Sequence, residues 1–526
     1  MGKIEIHSCA VENDVMSFPM GALCIVTAIN SSELPKAALY EHTVASNPVK
    51  EARDCARRNP EAVGLSIYIW NSDWFSEFAS ELKKIHPAIT IFAGGPQVAA
   101  FKGKLPQWAD FAVHGEGEIT TVKKISELFS NGKVERKIFD AELPDTNTLE
   151  SVFLSHNADR VLKNTNSILW EMTRGCPYKC AFCFESRGNR TVRDFPMERI
   201  ARELDFLVGH NVKNIFVLDP TFNLNRKRAK EILTLLLEKS PAEMHYVFEI
   251  RAELVDKEMA QLFAQLNCSL QIGLQSSNME VLKNIDREWD RELFTKSVKY
   301  MAKLGIPFGL DVIAGLPGDT FASFKNTIDY AVVLQPSNID CFVLSILPGT
   351  KLEVTASDFG LEYGTADKTV SSTPTFSTAE MVKAKELTAS MNFFYTKGQS
   401  CIWIHALLDA IKKTPSQLFE LFATWMHNTG HAETEDVWDL QDEFVTWLFK
   451  ENGFDAQLDA MLSYMTLHQG FSYVMETGEC VNPELSYRPN DLAMLDTMSI
   501  MDFVKKYRKK KCTPLLTLGD DGVQIY

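Results

Sequence analysis

The sequence has no membrane-length apolar run and no excess of basic residues. None of its apolar stretches approaches the ~18–20 residues that a bilayer-spanning helix needs. Lys and Arg number 54 against 69 Asp and Glu, a net charge of −15, so bulk charge gives no reason to expect a nucleic-acid partner. The first six residues carry neither a signal-peptide core nor a myristoylation signal. We therefore expect a cytoplasmic protein without a membrane anchor.

The sequence also lacks the features of a disulfide scaffold, which is normally short and has an even number of cysteines. This chain has 526 residues and eleven cysteines. At roughly 150 residues per domain its length predicts about three domains. Eight of the cysteines are scattered, and we expect them to pack as small apolar residues: Cys9, Cys24, Cys55, Cys268, Cys341, Cys401, Cys480 and Cys512.

The remaining three cysteines fall within one stretch of eight residues: Cys176, Cys180 and Cys183. Gly175 and Pro177 allow the backbone to loop around a single metal centre there. Three thiolates complete neither a four-iron cluster, which normally takes four, nor a structural zinc site. An open metal position is what a catalytic centre keeps for its substrate or cofactor. The alternative is a zinc site completed by a distant residue such as Cys268 or His245.

The spacing Cys-x3-Cys-x2-Cys, with the aromatic residue Phe182 before the last cysteine, resembles the radical S-adenosylmethionine (SAM) superfamily. The resemblance implies that the three cysteines hold a 4Fe-4S cluster, that SAM chelates the fourth iron, and that Phe182 lies beside SAM. It also implies an external electron donor of the flavodoxin or ferredoxin type, because the reduced cluster cleaves SAM to a 5′-deoxyadenosyl radical.

Residues 166–358 alternate strand-like and helical patterns around this loop. Amphipathic helical stretches such as Glu198–Val208 and Arg226–Leu237 lie between six strand candidates rich in Val, Ile, Leu and Phe. These candidates are Ser167–Met172, Asn214–Asp219, His245–Ile250, Ser269–Gln275, Pro307–Ile313 and Asp340–Ile346. The alternation predicts a parallel sheet with helical crossovers. The resemblance implies a partial (β/α)6 barrel of the TIM type, with the cysteine loop at its carboxyl edge.

Four polar residues at or after the later strands strengthen the resemblance: Glu249, Gln275, Arg287 and Asp311. The set is similar to the coproporphyrinogen-dehydrogenase and methylthiotransferase branch, which implies that the Gln and Asp hold the SAM ribose. The Arg would pair with the SAM carboxylate, as its bidentate geometry allows, and the Glu would lie near SAM or substrate. The alternative is that these are supporting or surface groups, although an acid inside an apolar strand is costly without a partner.

The second strand candidate departs from that family, because it ends in Asp219-Pro220-Thr221-Phe222-Asn223 where many relatives have Gly-Gly-Glu. Contact with the SAM amino group then falls either to backbone carbonyls or to Asn223.

The first 130 residues show another strand–helix alternation, which predicts a doubly wound parallel sheet. Its strand candidates are Lys3–His7, Lys36–Tyr40, Ala62–Ile67, Ala88–Phe92 and Phe111–Val113, with a helix at Ser76–Ile85. Two glycine-rich turns follow late strands, Gly94-Gly95-Pro96 and Gly115-Glu116-Gly117. Neither is a phosphate loop, since Gly-Lys-Ser/Thr is missing. By pattern alone they are weak nucleotide-binding signals, and ordinary structural turns look the same.

Placed before a radical SAM core, this region resembles the cobalamin-binding domain of cobalamin-dependent radical SAM enzymes. The resemblance implies that Ser66 and the two glycine turns line the cobalamin tail and the corrin edge. We also place Tyr68 and Trp70 near the lower face of the cobalt, with ordinary core packing as the alternative. The loop 12–17 lacks the cobalt-ligating histidine of classical cobalamin proteins, which implies a cobalt without a protein histidine below it.

The remaining segments are a polar connector at 131–165 and a helical region at 359–526. Helix candidates in the latter are Thr378–Phe394, Ser400–Lys412, Pro415–Asn428 and Glu435–Glu451. We expect their aromatic residues to form a core, with a cap that shapes the substrate pocket as the alternative. His427 and His431 lie four residues apart without a third ligand, so they do not predict a metal site.

Together these features predict an α/β enzyme of the cobalamin-dependent radical SAM class. The resemblance implies methyl transfer from methylcobalamin to an unactivated carbon of a substrate radical, with the hard chemistry supplied by the cofactors. Alternatives within this chemistry are rearrangement, ring contraction or cyclisation without methyl transfer, and transfer of the aminocarboxypropyl group of SAM. A tRNA methylthiotransferase is a further alternative, against which the acidic chain counts. A non-catalytic cobalamin sensor is the contrasting class. The substrate, whether small molecule, peptide or protein, is open.

Overall fold

The computed structural model of the chain describes residues 4–12, 17–185, 191–365, 367–519 and 522–526. Within these ranges the chain forms two six-stranded parallel sheets, one after the other, and then a helical region. No helix in the same ranges is long and apolar enough to cross a membrane.

The first sheet contains β1 (Ile4–Ala10), β2 (Ala37–Thr43), β3 (Ala62–Ser66), β4 (Thr90–Gly94), β5 (Phe111–His114) and β6 (Ile138–Asp140). Its helices are α1 (Met20–Asn30), α2 (Pro48–Arg58), α3 (Ser72–Ile85) and α4 (Glu118–Asn131). All strands are parallel, in the order β2-β1-β3-β4-β5-β6. The predicted doubly wound sheet is confirmed. Its strand order reverses at β1 and β3, where such sheets open a ligand crevice at their carboxyl ends.

The next strands form the second sheet and a short ribbon. They are β7 (Ser167–Trp170), β8 (Thr173–Arg174), β9 (Arg193–Asp194), β10 (Asn214–Val217), β11 (His245–Ile250), β12 (Cys268–Gln275), β13 (Phe308–Ala314) and β14 (Asn338–Val343). The helices before and between these strands are α5 (Asp159–Leu162), α6 (Met197–Gly209), α7 (Arg226–Lys239), α8 (Lys257–Phe263), α9 (Met279–Asn284), α10 (Arg291–Lys303) and α11 (Phe321–Val333). The six-stranded order is β14-β13-β12-β11-β10-β7, all parallel, while β8 and β9 pair as a short antiparallel ribbon. The predicted partial barrel is confirmed.

The barrel strands alternate in burial, and this alternation decides which side chains face the lumen. Along β12, Leu270 and Ile272 are fully buried against the helices, whereas Ser269 and Gln271 are only partly buried. Successive side chains of a strand point to opposite faces, so the partly buried set lines the inside of the barrel. The helices begin at polar caps. Asn225, for example, accepts a hydrogen bond from the backbone of the first turn of α7.

The helical region packs against the last barrel elements. It contains α12 (Lys351–Thr355), α13 (Thr378–Met391), α14 (Ile404–Ile411), α15 (Pro415–Thr429), α16 (Val437–Glu451), α17 (Asp455–Thr477), α18 (Pro489–Leu492) and α19 (Ile500–Lys506). Two hairpins accompany them, β15 (Glu362–Tyr363) with β16 (Val370–Ser372) and β17 (Leu516–Gly519) with β18 (Gly522–Ile525). Helices α13 and α15 lie against α11, and residues 392–397 lie against β14. One apolar core runs from α1 through the barrel into this region, and a second fills the opposite face of the first sheet.

The segment 131–165 is more ordered than a connector. It contains strand β6, which pairs with β5 and so extends the first sheet, and the short helix α5, which precedes the barrel. The domain boundaries 1–130, 131–165, 166–358 and 359–526 remain proposals.

Candidate active site

The cysteine loop lies at the carboxyl edge of the barrel and is fixed by backbone hydrogen bonds. Cys176 and Cys180 are buried and Cys183 is partly buried. The N–H of Ala181 donates to the carbonyl of Ile285 at 2.8 Å, and the carbonyl of Ala181 accepts from Leu352 N at 2.8 Å. The loop is thus held between the end of α9 and the start of α12. Phe182, partly buried, packs against the main apolar core between the second and third thiols.

Arg287 connects this loop to the barrel lumen. Its Nη1 lies 3.9 Å from Cys180 Sγ, and its Nη2 donates to the carbonyl of Gly273 on β12. Its Nε is buried without a hydrogen-bond partner among the described residues. A buried donor left unpaired is costly, so this orphaned N–H is the kind of group that a ligand carboxylate satisfies.

Gln275 and Asp311 lie beside the same guanidinium. A Cβ at Gly273 would overlap Gln275 Nε2 and lie 3.2 Å from Arg287 Nη2. The side chains of Gln275 and Arg287 therefore occupy the space beside this glycine. Gln275 is buried and has φ +66°, in the left-handed region, where the register between β12 and β13 shifts. Backbone strain of this kind persists where the surroundings enforce it, often at functional sites.

Asp311 stands opposite Gly273 on β13 and accepts a hydrogen bond from Gln271. Burial, with repulsion from the neighbouring Asp340, raises the pKa of Asp311 to about 6 against the opposing effects of Gln271 and Arg287. Asp311 therefore remains mostly a carboxylate at neutral pH, which suits a group that accepts from hydroxyls.

Glu249 ends β11 on the lumen side and is open to solvent from the barrel mouth. Surrounding protein still desolvates its carboxyl and raises its pKa to about 7, with additional repulsion from Asp311 and Glu185. Glu249 has no ion-pair partner among the described residues. It is thus a lumen carboxyl that changes charge near neutral pH.

Asn223 has a different task from the predicted SAM contact. Its side chain is completely buried, Nδ2 donates to the carbonyl of Arg251 at 2.8 Å, and Oδ1 accepts from Arg251 N at 3.0 Å. Both ends of the amide are therefore engaged in tying the loop after β10 to the end of β11. Of the two alternatives for the SAM amino group, backbone carbonyls are the one that this geometry leaves available.

A cavity of about 700 Å³ lies where the carboxyl edges of the two sheets face each other. The first sheet contributes the ends of β1, β3, β4 and β5, and the barrel contributes residues such as Leu169, Gly175 and Leu218. Eight of the nine predicted cobalamin residues line it: Ser66, Tyr68, Trp70, Gly94, Gly95, Gly115, Glu116 and Gly117. Pro96 does not, and instead occupies the first position of a 3-10 turn behind Gly95. Cys9 and Cys24, expected as ordinary packing, also line the cavity.

The first glycine turn leaves room for a ligand. A Cβ at Gly94 would meet nothing within 4 Å, so this position faces open space in the cavity. Gly95 has φ +95° and its Cβ would lie 2.5 Å from the carbonyl oxygen of Ile67, so no other residue fits there. The pair lets the backbone approach a bound molecule closely.

Tyr68 and Trp70 form a stacked pair at the cavity wall. Their ring centroids are 4.4 Å apart with an interplanar angle of 14°. Trp70 Nε1 donates to the carbonyl of Cys9 at 3.3 Å, yet the residue remains 50% exposed. An indole exposed to this degree is not core packing, and it offers a flat apolar surface to a ligand. Of the loop 12–17, residues 13–16 lie outside the described residues.

Glu116, predicted from its glycine turn as a cobalamin contact, is also part of a charge network between the two sheets. Arg174 Nη1 lies 2.9 Å from Glu116 and 2.8 Å from Glu118, and Nη2 lies 2.9 Å from Glu171. Arg193, opposite Arg174 on the β8–β9 ribbon, also pairs with Glu116. The two arginines, Arg174 two residues before Cys176 and Arg193 ten residues after Cys183, were not singled out from the sequence. Only the position of Arg174 next to Gly175 could have drawn attention.

A parallel barrel with three thiols at its carboxyl edge faces a doubly wound sheet across a glycine-lined cavity. The sequence model of the radical SAM superfamily matches residues 170–331, and that of the B12 binding domain matches residues 37–123. The chain therefore combines a B12-binding domain with a radical SAM domain, the arrangement of cobalamin-dependent radical SAM enzymes.

Similar proteins of known name share this arrangement. The cobalamin-dependent radical SAM methyltransferase TokK of Streptomyces tokunonensis is 27% identical over 344 residues, which cover 58% of this chain and 50% of that protein. The 2-(S-pantetheinyl)-carbapenam-3-carboxylate methyltransferase of Streptantibioticus cattleyicolor is 27% identical over 342 residues, covering 56% and 48%. The chain thus spans about half the length of the curated relatives it matches.

A solved structure extends the likeness in fold. The cobalamin-dependent SAM radical enzyme OxsB, with aqua-cobalamin and SAM bound, superposes with a TM-score of 0.57 at 13% identity. The match covers 96% of this chain and 83% of that chain, so it includes the helical region.

The residues present fit the cofactors that these domains imply, namely a 4Fe-4S cluster, SAM and cobalamin. The three thiols on one fixed loop supply three of the four ligands that a 4Fe-4S cluster normally takes, which would leave the fourth iron for SAM. The orphaned Nε of Arg287 suits the SAM carboxylate, and the open space at Gly94 suits a cobalamin tail. Radical SAM enzymes also need an external reductant.

Proposed function

We propose that this protein is a cobalamin-dependent radical SAM methyltransferase that methylates an unactivated carbon. The observation that carries the proposal is the shared cavity. Residues of the first sheet, such as Gly94, and residues of the barrel next to the cysteine loop, such as Gly175, line one continuous space. A substrate in this space would lie between the cysteine loop, next to which SAM would be held, and the glycine turns of the first sheet, which would hold the methyl-carrying cobalamin.

The chain's own residues bind and orient the reactants. Cys176, Cys180 and Cys183 hold the cluster, whose bound form supplies the electron that cleaves SAM. Arg287 pairs with the SAM carboxylate, while Gln275 and Asp311 accept from or donate to its ribose. Glu249 lies where it contacts SAM or substrate. We assign these roles because Arg287, Gly273, Gln275 and Asp311 lie together at one place in the lumen.

The first sheet holds cobalamin against this site. Ser66 and the glycine turns contact its tail and corrin edge, and the stacked rings of Tyr68 and Trp70 cover one face. The acidic Glu116 acts mainly through the arginines that it pairs with. We propose a flavodoxin or ferredoxin as the reductant, and the oxygen sensitivity of a 4Fe-4S cluster favours a low-oxygen cytoplasm as its location.

Turnover with methyl-labelled SAM tests the proposal. The protein is reconstituted anaerobically with iron, sulfide and cobalamin, reduced, and incubated with a small-molecule extract of its source cells, and the products are resolved by mass spectrometry. We expect the label in a carbon-bound methyl group of one product together with 5′-deoxyadenosine. A matched reaction with Cys176→Ala should give neither.

The same experiment distinguishes the alternatives. If 5′-deoxyadenosine forms together with an unlabelled product, the reaction is a rearrangement, ring contraction or cyclisation and not a methyl transfer. Label in added tRNA and in no small molecule would favour methylthiotransfer. If the protein binds cobalamin but does not cleave SAM, the result would favour the hypothesis of a cobalamin sensor.

A further inference from the structure

Arg251 lies directly under the cysteine loop, and the cofactor assignments above give it no task. It follows β11, and its side chain is buried although it carries a full positive charge. Its guanidinium carbon lies 4.0 Å from the centre of the Tyr178 ring. Tyr178 is the middle residue of the segment between Cys176 and Cys180, so this cation–π contact reaches into the cluster motif itself.

Arg251 is fixed from three directions. Asn223 binds its backbone N–H and carbonyl, as described above. Its Nη2 donates to the carbonyl of Glu288, the residue after Arg287, and lies 3.6 Å from the carboxylate of Glu253. Arg251 therefore links the loops after β10 and β11 to the turn that carries Arg287. A side chain held this firmly gives the Tyr178 ring a single position.

The position of Tyr178 matters because this residue lies between Cys176 and Cys180, so its place fixes the backbone that directs two of the three thiols. Nearby charge, together with hydrogen bonds to the cluster sulfurs, sets the reduction potential of iron–sulfur clusters. A positive charge close to the cluster stabilises the more negative, reduced cluster and so raises its potential. The buried guanidinium of Arg251, held against the Tyr178 ring, is such a charge.

We propose that Arg251 is a positioning residue that holds Tyr178, and with it the segment between Cys176 and Cys180, in place, and that its buried charge beside this segment raises the reduction potential of the cluster. The proposal rests on the proposed function only in that Cys176 is a cluster ligand. It assigns Arg251 no contact with SAM, cobalamin or substrate.

The test is an anaerobic redox titration of the reconstituted protein without substrate, followed by the absorbance and electron paramagnetic resonance of the cluster. We expect Arg251→Gln to lower the ratio of reduced to oxidised cluster about tenfold at the potential where the wild type is half reduced, which for one electron equals about 59 mV. Arg251→Lys keeps the charge without the planar fork and should give a smaller shift.

Two further variants locate the effect. Tyr178→Leu removes the ring and should reproduce the shift, and the double variant Arg251→Gln/Tyr178→Leu should shift no further than either single variant. Arg58→Gln is the matched control. The Arg58 guanidinium also lies 4.0 Å from the centre of a tyrosine ring, Tyr40, but both residues belong to the first sheet and its helices, so the loss of that contact should leave the potential unchanged.

An unchanged potential in Arg251→Gln with full iron content would overturn the proposal, whatever happens to thermal stability. If that variant does not retain its cluster, Arg251→Lys and Tyr178→Leu decide, and wild-type potentials in both would overturn it as well. These results are independent of methyl transfer. A normal shift in a protein that transfers no label would contradict the proposed function while supporting the role of Arg251.

Discussion

Arg174 and Glu118 join the two sheets through an ion pair of 2.8 Å between side chains that are 10% and 6% exposed. Arg174 precedes the cysteine motif by two residues, and Glu118 begins the helix after the second glycine turn. The loop that presents the thiols and the loop that lines the cobalamin cavity are therefore held against each other by one guanidinium.

Arg174→Gln should destabilise the protein and weaken cobalamin binding. Removal of one partner from a buried charge network costs about 3–5 kcal/mol, because the remaining carboxylates stay buried without compensation. Denaturant unfolding measures the stability and an absorbance titration measures the cobalamin affinity. Arg160→Gln is the control, since its pair with Glu41 is largely exposed and is worth less than about 1 kcal/mol. Equal effects of the two substitutions would contradict the network's role.

Gly94→Leu should block cobalamin binding without unfolding the protein. A Cβ at this position meets no atom within 4 Å and enters open cavity space, so the added side chain occupies ligand volume. Gly209→Leu is the matched control, because it also meets nothing within 4 Å but lies at the end of α6 outside the cavity. Equilibrium dialysis with cobalamin and the melting temperature give the comparison. Normal cobalamin binding by Gly94→Leu would remove this turn from the site.

Arg287→Gln should weaken SAM binding while leaving cobalamin bound. The loss of a charge-assisted hydrogen bond costs about 1.5–3 kcal/mol, or roughly 10- to 100-fold in affinity. Arg287→Lys should retain part of the affinity, because it keeps the charge but not the bidentate geometry. Calorimetry with SAM on the cluster-loaded protein provides the measurement. An unchanged SAM affinity in the glutamine variant excludes Arg287 from the site.

SAM affinity should rise with pH as Asp311 ionises. Its folded-state pKa is raised to about 6 by burial, so the carboxylate that accepts from ribose hydroxyls is present above pH 6 and is lost as the pH falls below it. We expect the dissociation constant to increase below about pH 6 and to reach a plateau above about pH 7. Asp311→Asn should bind more weakly and lose this dependence between pH 5 and 7.

Asp442→Asn controls for the pH dependence. Burial also raises the pKa of Asp442 to about 6, but this residue belongs to α16 in the helical region. Its replacement should leave the pH profile of SAM binding as in the wild type. A profile that flattens in Asp442→Asn but persists in Asp311→Asn would assign the titration elsewhere.

Both sheets were predictable from the sequence because each repeats one local pattern, an apolar strand followed by an amphipathic helix. The span His245–Ile250 was predicted to the residue. The cysteine motif was equally clear, since its information lies in the spacing of eight consecutive residues. Gln275 at the end of β12 and Asp311 within β13 were singled out from their resemblance to the SAM-binding residues of a known family, and their roles remain predictions.

Contacts between segments distant in the chain were not predictable. Glu116 is 58 residues from Arg174 and 77 from Arg193, and a glycine turn with a carboxylate gives no sign of such partners. Asn223 was one of two alternatives for the SAM amino group, because its segment departs from the Gly-Gly-Glu of many relatives, and nothing in the sequence indicated that its amide binds a backbone 28 residues away. Strand β6, only three residues long, gives too little periodicity for detection in a polar connector.

The most direct test of the account is the cofactor content and SAM cleavage of the anaerobically reconstituted protein. We predict about four iron atoms and one cobalamin per chain, with 5′-deoxyadenosine formed on reduction. The Cys176→Ala variant should lose the cluster absorbance and the cleavage but still bind cobalamin. Cys268→Ala, at a buried cysteine on β12, should match the wild type. A Cys176→Ala protein with an intact cluster that still cleaves SAM would contradict the assignment of this loop as the centre of the enzyme.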